Sequence, residues 1–318
     1  MFTSNNTQLK EYEKAIELGA IINLDDITHI DYIPKHLFSK ITTLSFRFNP
    51  GPMRSGNAII GEPSEAKFGL TKEQLFQAYE KALELGVKKL GNHTMVVSNE
   101  LDEEQFKHTA NMLFETAIEI EKSLNITFEF INLGGGLGIA YKPEESKIDI
   151  DKVSSYIQES YNSAFKDSTN KPSIFMENGR YITGPYGYII SKVIHTKNTY
   201  KNYIGLDACM ANLMRPGMYD AYHHISIIGK EESKNDKEFD VVGSLCENND
   251  KFAINRKLPN SKIGDFAIIH DTGAHGHSMG FNYNGKLRSA EVLISKKNEF
   301  ELIRRAETYE DLFKTLDI

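Results

Sequence analysis

The feature that most limits the possible folds is a series of short apolar runs that end in turns and alternate with amphipathic helix patterns. The run 127–133 leads into the glycine-rich segment 134–138, and the run 173–177 leads into Asn178-Gly179. A helix pattern with a capping box follows Thr71. Repeated strand–helix units place parallel strands under a cover of helices, in a barrel or a doubly wound sheet.

The pattern changes near Tyr188. Beyond it, turn residues separate short β patterns, and amphipathic helices are nearly absent before Tyr309. The predicted fold class is therefore α/β plus β, with a parallel α/β domain over 1–187 and a largely antiparallel β domain over 188–318. The strands predicted in the second domain are 189–195, 239–245, 266–270 and 291–294.

Length and charge exclude several classes of protein. The chain has 318 residues, with 37 Lys and Arg against 44 Asp and Glu and a net charge of −7, which argues against nucleic-acid binding. No apolar run is long enough to span a membrane, and the N-terminus lacks a signal-peptide pattern. Cys209 and Cys246 are too few for a disulfide scaffold. We expect a soluble, cytoplasmic protein that binds neither nucleic acid nor membrane.

The glycine segment Gly134-Gly135-Gly136-Leu137-Gly138 is a candidate phosphate site. Consecutive glycines let backbone N–H groups approach a phosphate without obstruction by side chains. Ile139 stands where a dinucleotide-binding fingerprint requires its last glycine, so the spacing favours a single phosphate group. A plain tight turn is the alternative.

Glu177-Asn178-Gly179-Arg180 also lies at a predicted strand end, which in a parallel barrel is the catalytic face. The four residues offer a carboxylate, backbone N–H groups and a cation for an anionic ligand. A capped turn with a surface arginine is the alternative.

Two further groups of residues are candidates, and a set of histidines is considered as a metal site. Arg215 and Tyr219 are four residues apart and could grip a carboxylate through a guanidinium fork and a hydroxyl. Cys246 follows an apolar run. A lone cysteine in that position is either a reactive thiol or an unreactive residue of the hydrophobic core. The histidines fit no zinc spacing, so no metal site is expected. They are His223, His224, His270, His275 and His277.

Together these segments resemble one family, the pyridoxal-phosphate-dependent amino-acid decarboxylases of the alanine-racemase-like fold, specifically diaminopimelate decarboxylase. The resemblance covers nearly the whole chain in family order. It is carried by FRFNP at 46–50, KFG at 67–69, GGGLG at 134–138, ENGR at 177–180, RPGMY at 215–219, CE at 246–247, and NYN and EVL within 281–293.

The resemblance implies a TIM-like (β/α)₈ barrel packed with a C-terminal β domain, the cofactor pyridoxal 5'-phosphate, and a homodimer with shared sites. Glu177 would pair with the pyridine nitrogen, and Cys246 would be catalytic, protonating the substrate after CO₂ leaves. The implied cofactor-binding residues are Ser98, Gly134, Gly135, Gly136, Glu177, Asn178, Gly179, Arg180 and His275. The implied substrate-binding residues are Arg180, Arg215, Tyr219 and Glu247.

The chain also departs from the family pattern. Met95 replaces a histidine that stacks on the cofactor ring, His275 replaces a tyrosine, and Asn178 replaces a proline. Nothing matches the Tyr-Ala-x-Lys-Ala-Asn-like motif that holds the cofactor lysine, and residue 1 aligns inside the barrel. We therefore expect the front strands to be missing, either in a fragment of a longer enzyme or in a truncated relative that no longer catalyses.

The function predicted from the resemblance is decarboxylation of meso-2,6-diaminopimelate to L-lysine. Decarboxylation of carboxynorspermidine or another diamino acid is the enzymatic alternative, because Arg215 and Tyr219 argue only for a polar distal group. A non-catalytic regulatory or binding homologue is the alternative from another class.

Overall fold

A computed structural model describes residues 1–56 and 61–317. The chain forms two compact units, the first comprising 1–139 and 146–178, and the second comprising 140–145 and 179–318. A parallel sheet with helices lies in the first unit, and a separate β sheet lies in the second. The predicted fold class is thereby confirmed, while the predicted domain boundary before Tyr188 stays a prediction.

The first unit is built on six parallel strands that pair in chain order from β1 to β6. Each connection passes through helical or loop segments, as parallel pairing requires. The strands are β1 Phe2–Ser4, β2 Ile22–Leu24, β3 Leu44–Phe48, β4 Leu90–Thr94, β5 Phe128–Asn132 and β6 Ser173–Phe175.

Hydrogen bonds between nearby residues set the start of the helix that follows Thr71. The Thr71 hydroxyl accepts from the Gln74 N–H, and the Gln74 side chain accepts from the Thr71 N–H, closing the predicted capping box. No helix within 1–56 and 61–317 is long and apolar enough to cross a membrane. The α-helices are α1 Leu9–Glu17, α2 Thr28–Tyr32, α3 Lys35–Phe38, α4 Lys72–Glu84, α5 Glu104–Leu124, α6 Ile150–Ala164, α7 Gly179–Thr183, α8 Arg215–Tyr219 and α9 Tyr309–Phe313.

The two faces of the parallel sheet differ in polarity. Leu44, Phe46 and Phe48 alternate along β3 and belong to the apolar core shared with the helices. Ser45 and Arg47 occupy the opposite face, and Ser45 lies level with Asn23 of β2. Buried polar groups therefore line the sheet face opposite the apolar core.

The second unit contains a six-stranded sheet in the order β11-β10-β8-β7-β12-β9. Most neighbours are antiparallel, as predicted, but β8 and β10 pair in parallel. A separate antiparallel hairpin joins β13 and β14. The strands are β7 Ile189–Asn198, β8 Asn202–Leu206, β9 Ile225–Ile227, β10 Lys237–Val242, β11 Lys251–Leu258, β12 Phe266–Ile269, β13 Glu291–Ile294 and β14 Phe300–Arg304.

Candidate functional site

The glycine turn after β5 is packed backbone against backbone. Gly134 and Gly136 have positive φ angles of +72° and +101°, which side chains disfavour. A Cβ at Gly135 would lie 2.2 Å from the carbonyl oxygen of Glu177. A Cβ at Gly134 would lie 2.3 Å from the carbonyl oxygen of Thr94. Only glycines allow the turn to sit this close to the ends of the neighbouring strands.

Hydrogen bonds join this turn to the residues that follow β6. The Glu177 N–H donates to the Gly134 carbonyl over 2.7 Å, and the Leu137 N–H donates to the Asn178 side chain over 3.3 Å. The predicted phosphate turn and the carboxylate predicted to pair with the pyridine nitrogen therefore lie together at one sheet edge. This follows from parallel topology, because consecutive parallel strands end on the same side.

The backbone N–H of Gly135 is available to a stronger acceptor than its present one. It lies 3.1 Å from Sδ of Met95, and thioether sulfur is a weak acceptor. A phosphate oxygen is a far better partner for such an N–H. Ser98 lies in the loop after β4, close in sequence to Met95. The glycine turn thus offers a backbone N–H that fits an oxygen of the phosphate of pyridoxal phosphate.

The carboxylate of Glu177 is held in place by Asn132. The Asn132 amide donates to Oε1 of Glu177 over 2.8 Å, and its Oδ1 accepts from the Gly134 N–H over 2.9 Å. One buried asparagine therefore orients both the acid and the first glycine of the turn. An exposed carboxylate fixed in this way suits a protonated ring nitrogen.

A buried ion pair lies on the same sheet face. Arg47 donates to Asp25 over 3.3 Å and to the Met95 carbonyl over 3.3 Å, and its guanidinium lies 4.4 Å from the Phe68 ring centre. Burial raises the pKa of Asp25 and outweighs the opposing effect of Arg47. Burial lowers the pKa of Arg47, against the opposing effects of the Asp25 and Glu177 carboxylates.

His93 on β4 is held in its neutral form. It is 2% exposed, and burial together with the Arg47 charge lowers its pKa from 6.5 to about 3. Its Nδ1 accepts from the Asn23 amide over 3.1 Å, which places the ring proton on Nε2. Among the described residues, that Nε2 has no hydrogen-bond partner.

In the second unit, the two arginines that were predicted to bind the substrate both contact Tyr141. Nη1 of Arg180 donates to Oη of Tyr141 over 2.9 Å, and the Arg215 guanidinium lies 4.6 Å from the Tyr141 ring centre. Arg215 is only 4% exposed and also contacts His223. Although burial lowers its pKa, an arginine keeps its charge at neutral pH. This cluster can bind an anion.

Tyr219 and His275 lie near that cluster. Tyr219 ends α8, is 47% exposed, and interacts electrostatically with Arg215. His275 adopts a left-handed conformation with φ of +56°. Partial burial and the charges of Arg180 and Arg215 lower the pKa of His275, so its ring is neutral at neutral pH.

Cys246 and Glu247 occupy the turn between β10 and β11. Cys246 is a free, exposed thiol whose backbone N–H donates to Asn284 over 3.3 Å. Oε1 of Glu247 accepts from the Asn249 N–H over 3.0 Å. The buried Asp250 fixes the turn by accepting from the Leu245 N–H over 2.7 Å. The predicted proton donor is therefore accessible on a well-anchored turn.

The predicted site residues thus divide between the two units. Ser98, Gly134, Gly135, Gly136, Glu177 and Asn178 lie in the first, and Gly179, Arg180, Arg215, Tyr219, Cys246, Glu247 and His275 lie in the second. Sequence reasoning missed Asn132 and Tyr141, and it considered His223 only as a metal ligand. Asn132 lies near the end of the predicted strand 127–133, just before the glycine turn, and Tyr141 closely follows the turn, so position relative to that turn was an available signal.

Comparison with known proteins identifies the class. A family model described as pyridoxal-dependent decarboxylase, C-terminal sheet domain, matches residues 69–273. The chain belongs to this family of carboxy-lyases, and the predicted resemblance and the predicted cofactor are confirmed.

Individual relatives narrow the class further. Diaminopimelate decarboxylase of Methanothermobacter thermautotrophicus is 34% identical over 325 residues, covering 99% of this chain and 73% of that protein. Protein TabA of Pseudomonas amygdali pv. tabaci is 40% identical over 311 residues, covering 98% of this chain and 72% of that protein. The structure of diaminopimelate decarboxylase from M. jannaschii with L-lysine has a TM-score of 0.88 at 32% identity, covering 99% of this chain and 73% of that chain.

Proposed function

We propose that this protein decarboxylates meso-2,6-diaminopimelate to L-lysine with pyridoxal phosphate. The observation that carries the proposal is the glycine turn bonded to Glu177 at the edge of the parallel sheet. Relatives named diaminopimelate decarboxylase, similar along almost the whole chain, support this choice of substrate.

In this proposal, the N–H groups of the turn 134–136 and of Gly179 and Arg180 bind the cofactor phosphate, with the Ser98 hydroxyl beside them. Glu177 keeps a proton on the pyridine nitrogen, and Asn178 and His275 complete the cofactor site. Pyridoxal phosphate, when bound, supplies an electron-accepting ring that stabilises the charge left on the substrate as CO₂ departs. Asn132 holds the Glu177 carboxylate in position for its task.

The substrate is a diacid with two amines, so its distal end requires paired opposite charges. Arg180 and Arg215 bind the distal carboxylate with the hydroxyl of Tyr219, and Glu247 binds the distal ammonium group. Burial of the Arg215 guanidinium strengthens such a contact, because little water competes for it.

Cys246 returns a proton to the substrate carbon from which CO₂ leaves. The exposed thiol on the turn before β11 suits this role, since a general acid must reach its substrate. A homodimer in which this turn completes the neighbouring subunit's site and a cytoplasmic location are parts of the same proposal. The two unpaired cysteines agree with a reducing compartment.

The test is to incubate the chain with pyridoxal phosphate and meso-diaminopimelate labelled at both carboxyl groups, and to measure released CO₂ and L-lysine. Equal amounts of both products are expected, although no segment of this sequence matches the family's cofactor-lysine motif. Activity should be lost in Glu177→Gln and kept in the control Glu129→Gln, an exposed residue of β5. If the protein decarboxylated carboxynorspermidine but not meso-diaminopimelate, carboxynorspermidine would be its substrate. Binding of cofactor and substrate without CO₂ release would instead make the chain a non-catalytic homologue.

A further inference from the structure

Three buried side chains in the second unit form a compact group that the roles proposed above do not fully use. Arg215 is 4% exposed, Tyr141 is 6% exposed, and His223 is completely buried. Nη1 of Arg215 lies 2.6 Å from Nε2 of His223, and the Tyr141 ring lies edge-on to the His223 ring at 5.1 Å between centres. A buried guanidinium is therefore held by a histidine and an aromatic ring.

The protonation of His223 follows from its partners. Its Nδ1 lies 2.8 Å from the carbonyl oxygen of His270, which can only accept, so Nδ1 carries the proton. Nε2 then has a free lone pair, which accepts from Arg215. The Arg256 guanidinium donates to the backbone carbonyl of His223 over 2.8 Å. Contacts to both the ring and the backbone thus fix the direction in which Nε2 points.

The charge state agrees with this hydrogen bond. Burial lowers the pKa of His223 from 6.5 to about 4, and the charges of Arg215, Arg180 and Arg256 act in the same direction against the His270 carbonyl. A protonated ring would direct an N–H at the N–H of Arg215, so only the neutral ring can hold the arginine.

Tyr141 links the two arginines. Its ring face lies 4.6 Å from the Arg215 guanidinium, and its hydroxyl accepts from Arg180 over 2.9 Å. Since a guanidinium has five N–H donors, one bond to His223 leaves Arg215 further donors for a ligand. Both cations are therefore oriented by one tyrosine before any ligand arrives.

We propose that Tyr141 and His223 are positioning residues that hold Arg180 and Arg215 ready to receive the distal carboxylate of the substrate. The inference rests on the proposed function, which assigns that carboxylate to the two arginines. Its physical basis is preorganisation, because a guanidinium already fixed loses less freedom when it binds. Neither residue touches the reacting carbon in this scheme.

The first experiment compares binding of L-lysine and cadaverine, which differ by the carboxylate that remains after decarboxylation, to the chain with pyridoxal phosphate. Wild type is expected to prefer L-lysine. His223→Phe should reduce that preference at least about tenfold, the scale of one hydrogen bond to a charged group. His223→Gln, which can still accept from Arg215, should restore part of it. Tyr141→Phe should also weaken the preference, because Arg180 loses its acceptor.

Two variants serve as matched controls. His224→Gln removes the neighbouring histidine, and Tyr161→Phe removes a tyrosine hydroxyl that donates to the Pro172 carbonyl in the first unit. Both should keep the wild-type preference. An unchanged preference in both His223→Phe and Tyr141→Phe would overturn the inference.

The second experiment reads the position of Arg215 without any ligand. NMR of the guanidinium N–H groups should show a slowly exchanging Arg215 signal in wild type and in His224→Gln, and loss of that signal in His223→Phe. A retained signal in His223→Phe would contradict the positioning role. If the signal is lost but wild type binds neither L-lysine nor cadaverine, the positioning role stands and the proposed substrate fails.

Discussion

The amide of Asn132 donates to the carboxylate of Glu177 over 2.8 Å, across two neighbouring parallel strands. Asn132 is the last residue of β5 and lies level with Phe175, the last residue of β6. The same asparagine accepts from the first N–H of the glycine turn. The buried side chain of Asn132, which is 1% exposed, therefore connects the Glu177 carboxylate to the candidate phosphate site by hydrogen bonds.

Replacing Asn132 with leucine should weaken pyridoxal phosphate binding at least about tenfold, because two hydrogen bonds are lost and Glu177 is released. Absorbance titration of the cofactor measures the change. Asn111→Leu, at an exposed position on α5, is the control and should bind the cofactor as wild type does. Wild-type affinity in Asn132→Leu would show that Glu177 needs no such support.

Gly135→Ala should disrupt the turn, because the new Cβ would lie 2.2 Å from the Glu177 carbonyl oxygen. Overpacking of this kind destabilises a protein by about 1–3 kcal/mol, and here it also displaces the cofactor's donors. Urea unfolding and cofactor titration should both respond. In the control Gly205→Ala, the nearest atom lies at an ordinary 3.4 Å, so both measurements should stay close to wild type.

Cys246→Ala should lower turnover of meso-diaminopimelate at least about tenfold while the cofactor absorbance stays unchanged, because only the proton donor is removed. Steady-state assays with absorbance spectra provide the measurement. The control Cys209→Ala alters the buried cysteine and should affect stability without a comparable loss of turnover. Equal turnover in Cys246→Ala and wild type would assign protonation to another group.

The neutral His93 should make the folded state sensitive to acid. Its folded pKa of about 3 lies below the ordinary value of 6.5, so between these values the unfolded chain binds a proton and the folded chain does not. The free energy of unfolding should therefore fall by up to about 1.4 kcal/mol per pH unit from this group as the pH decreases between about 6 and about 4.

The control for this pH effect is a histidine on the surface. His93→Gln should flatten the dependence of unfolding free energy on pH, whereas His36→Gln, at an exposed position, should leave the slope unchanged. Urea unfolding at several pH values provides the slopes. An identical slope in His93→Gln and wild type would mean that His93 is protonated in the folded state.

Asp240→Asn should destabilise the protein by about 2 kcal/mol at neutral pH, because two partly exposed lysines lose charged hydrogen bonds to a buried carboxylate. Oδ1 of Asp240 lies 2.6 Å from Lys201 Nζ, and Oδ2 lies 3.4 Å from Lys251 Nζ. Burial raises the pKa of Asp240, but hydrogen bonds and the lysine charges outweigh it and hold the pKa below 3.8.

Because this folded pKa is depressed, the stabilisation by Asp240 is present above about pH 4 and is lost as the pH falls below it. The difference between wild type and Asp240→Asn should therefore shrink in acid. Asp236→Asn, an exposed aspartate just before β10, should change stability little at any pH. A constant difference down to low pH would contradict the ion-pair explanation.

Local elements were predictable where neighbouring residues determine them. The capping box at Thr71 and the strand over 291–294 appear as predicted, because both depend on residues a few positions apart. The strand predicted over 239–245 ends earlier, at Val242, since the N–H of Leu245 donates to Asp250 instead of a sheet neighbour. A side chain beyond the strand decides this boundary.

The candidate site was only partly accessible to sequence reasoning. The glycines and Glu177 at strand ends could be recognised from the sequence. Close approach of the backbone requires glycine, and the carboxylate is supplied by a single acidic residue. His223 could not be recognised in this way, because its role depends on the carbonyl of His270, 47 residues away, and on the guanidinium of Arg215. In the sequence, His223 stands next to another histidine, His224, and nothing in the neighbouring residues indicates its role.

The sequence by itself determined the succession of strands and helices, the change to β structure in the second half, and the family, because periodicity and short motifs are local properties. Tertiary structure alone decided that Asn132 orients Glu177, that His93 and His223 are neutral, and that Tyr141 joins two arginines. These properties arise from burial and from contacts between distant residues. Burial changes the free energy of a charged group, and contacts between distant residues determine its hydrogen-bond partner. Neither the burial nor the partner can therefore be inferred from residues adjacent in the sequence.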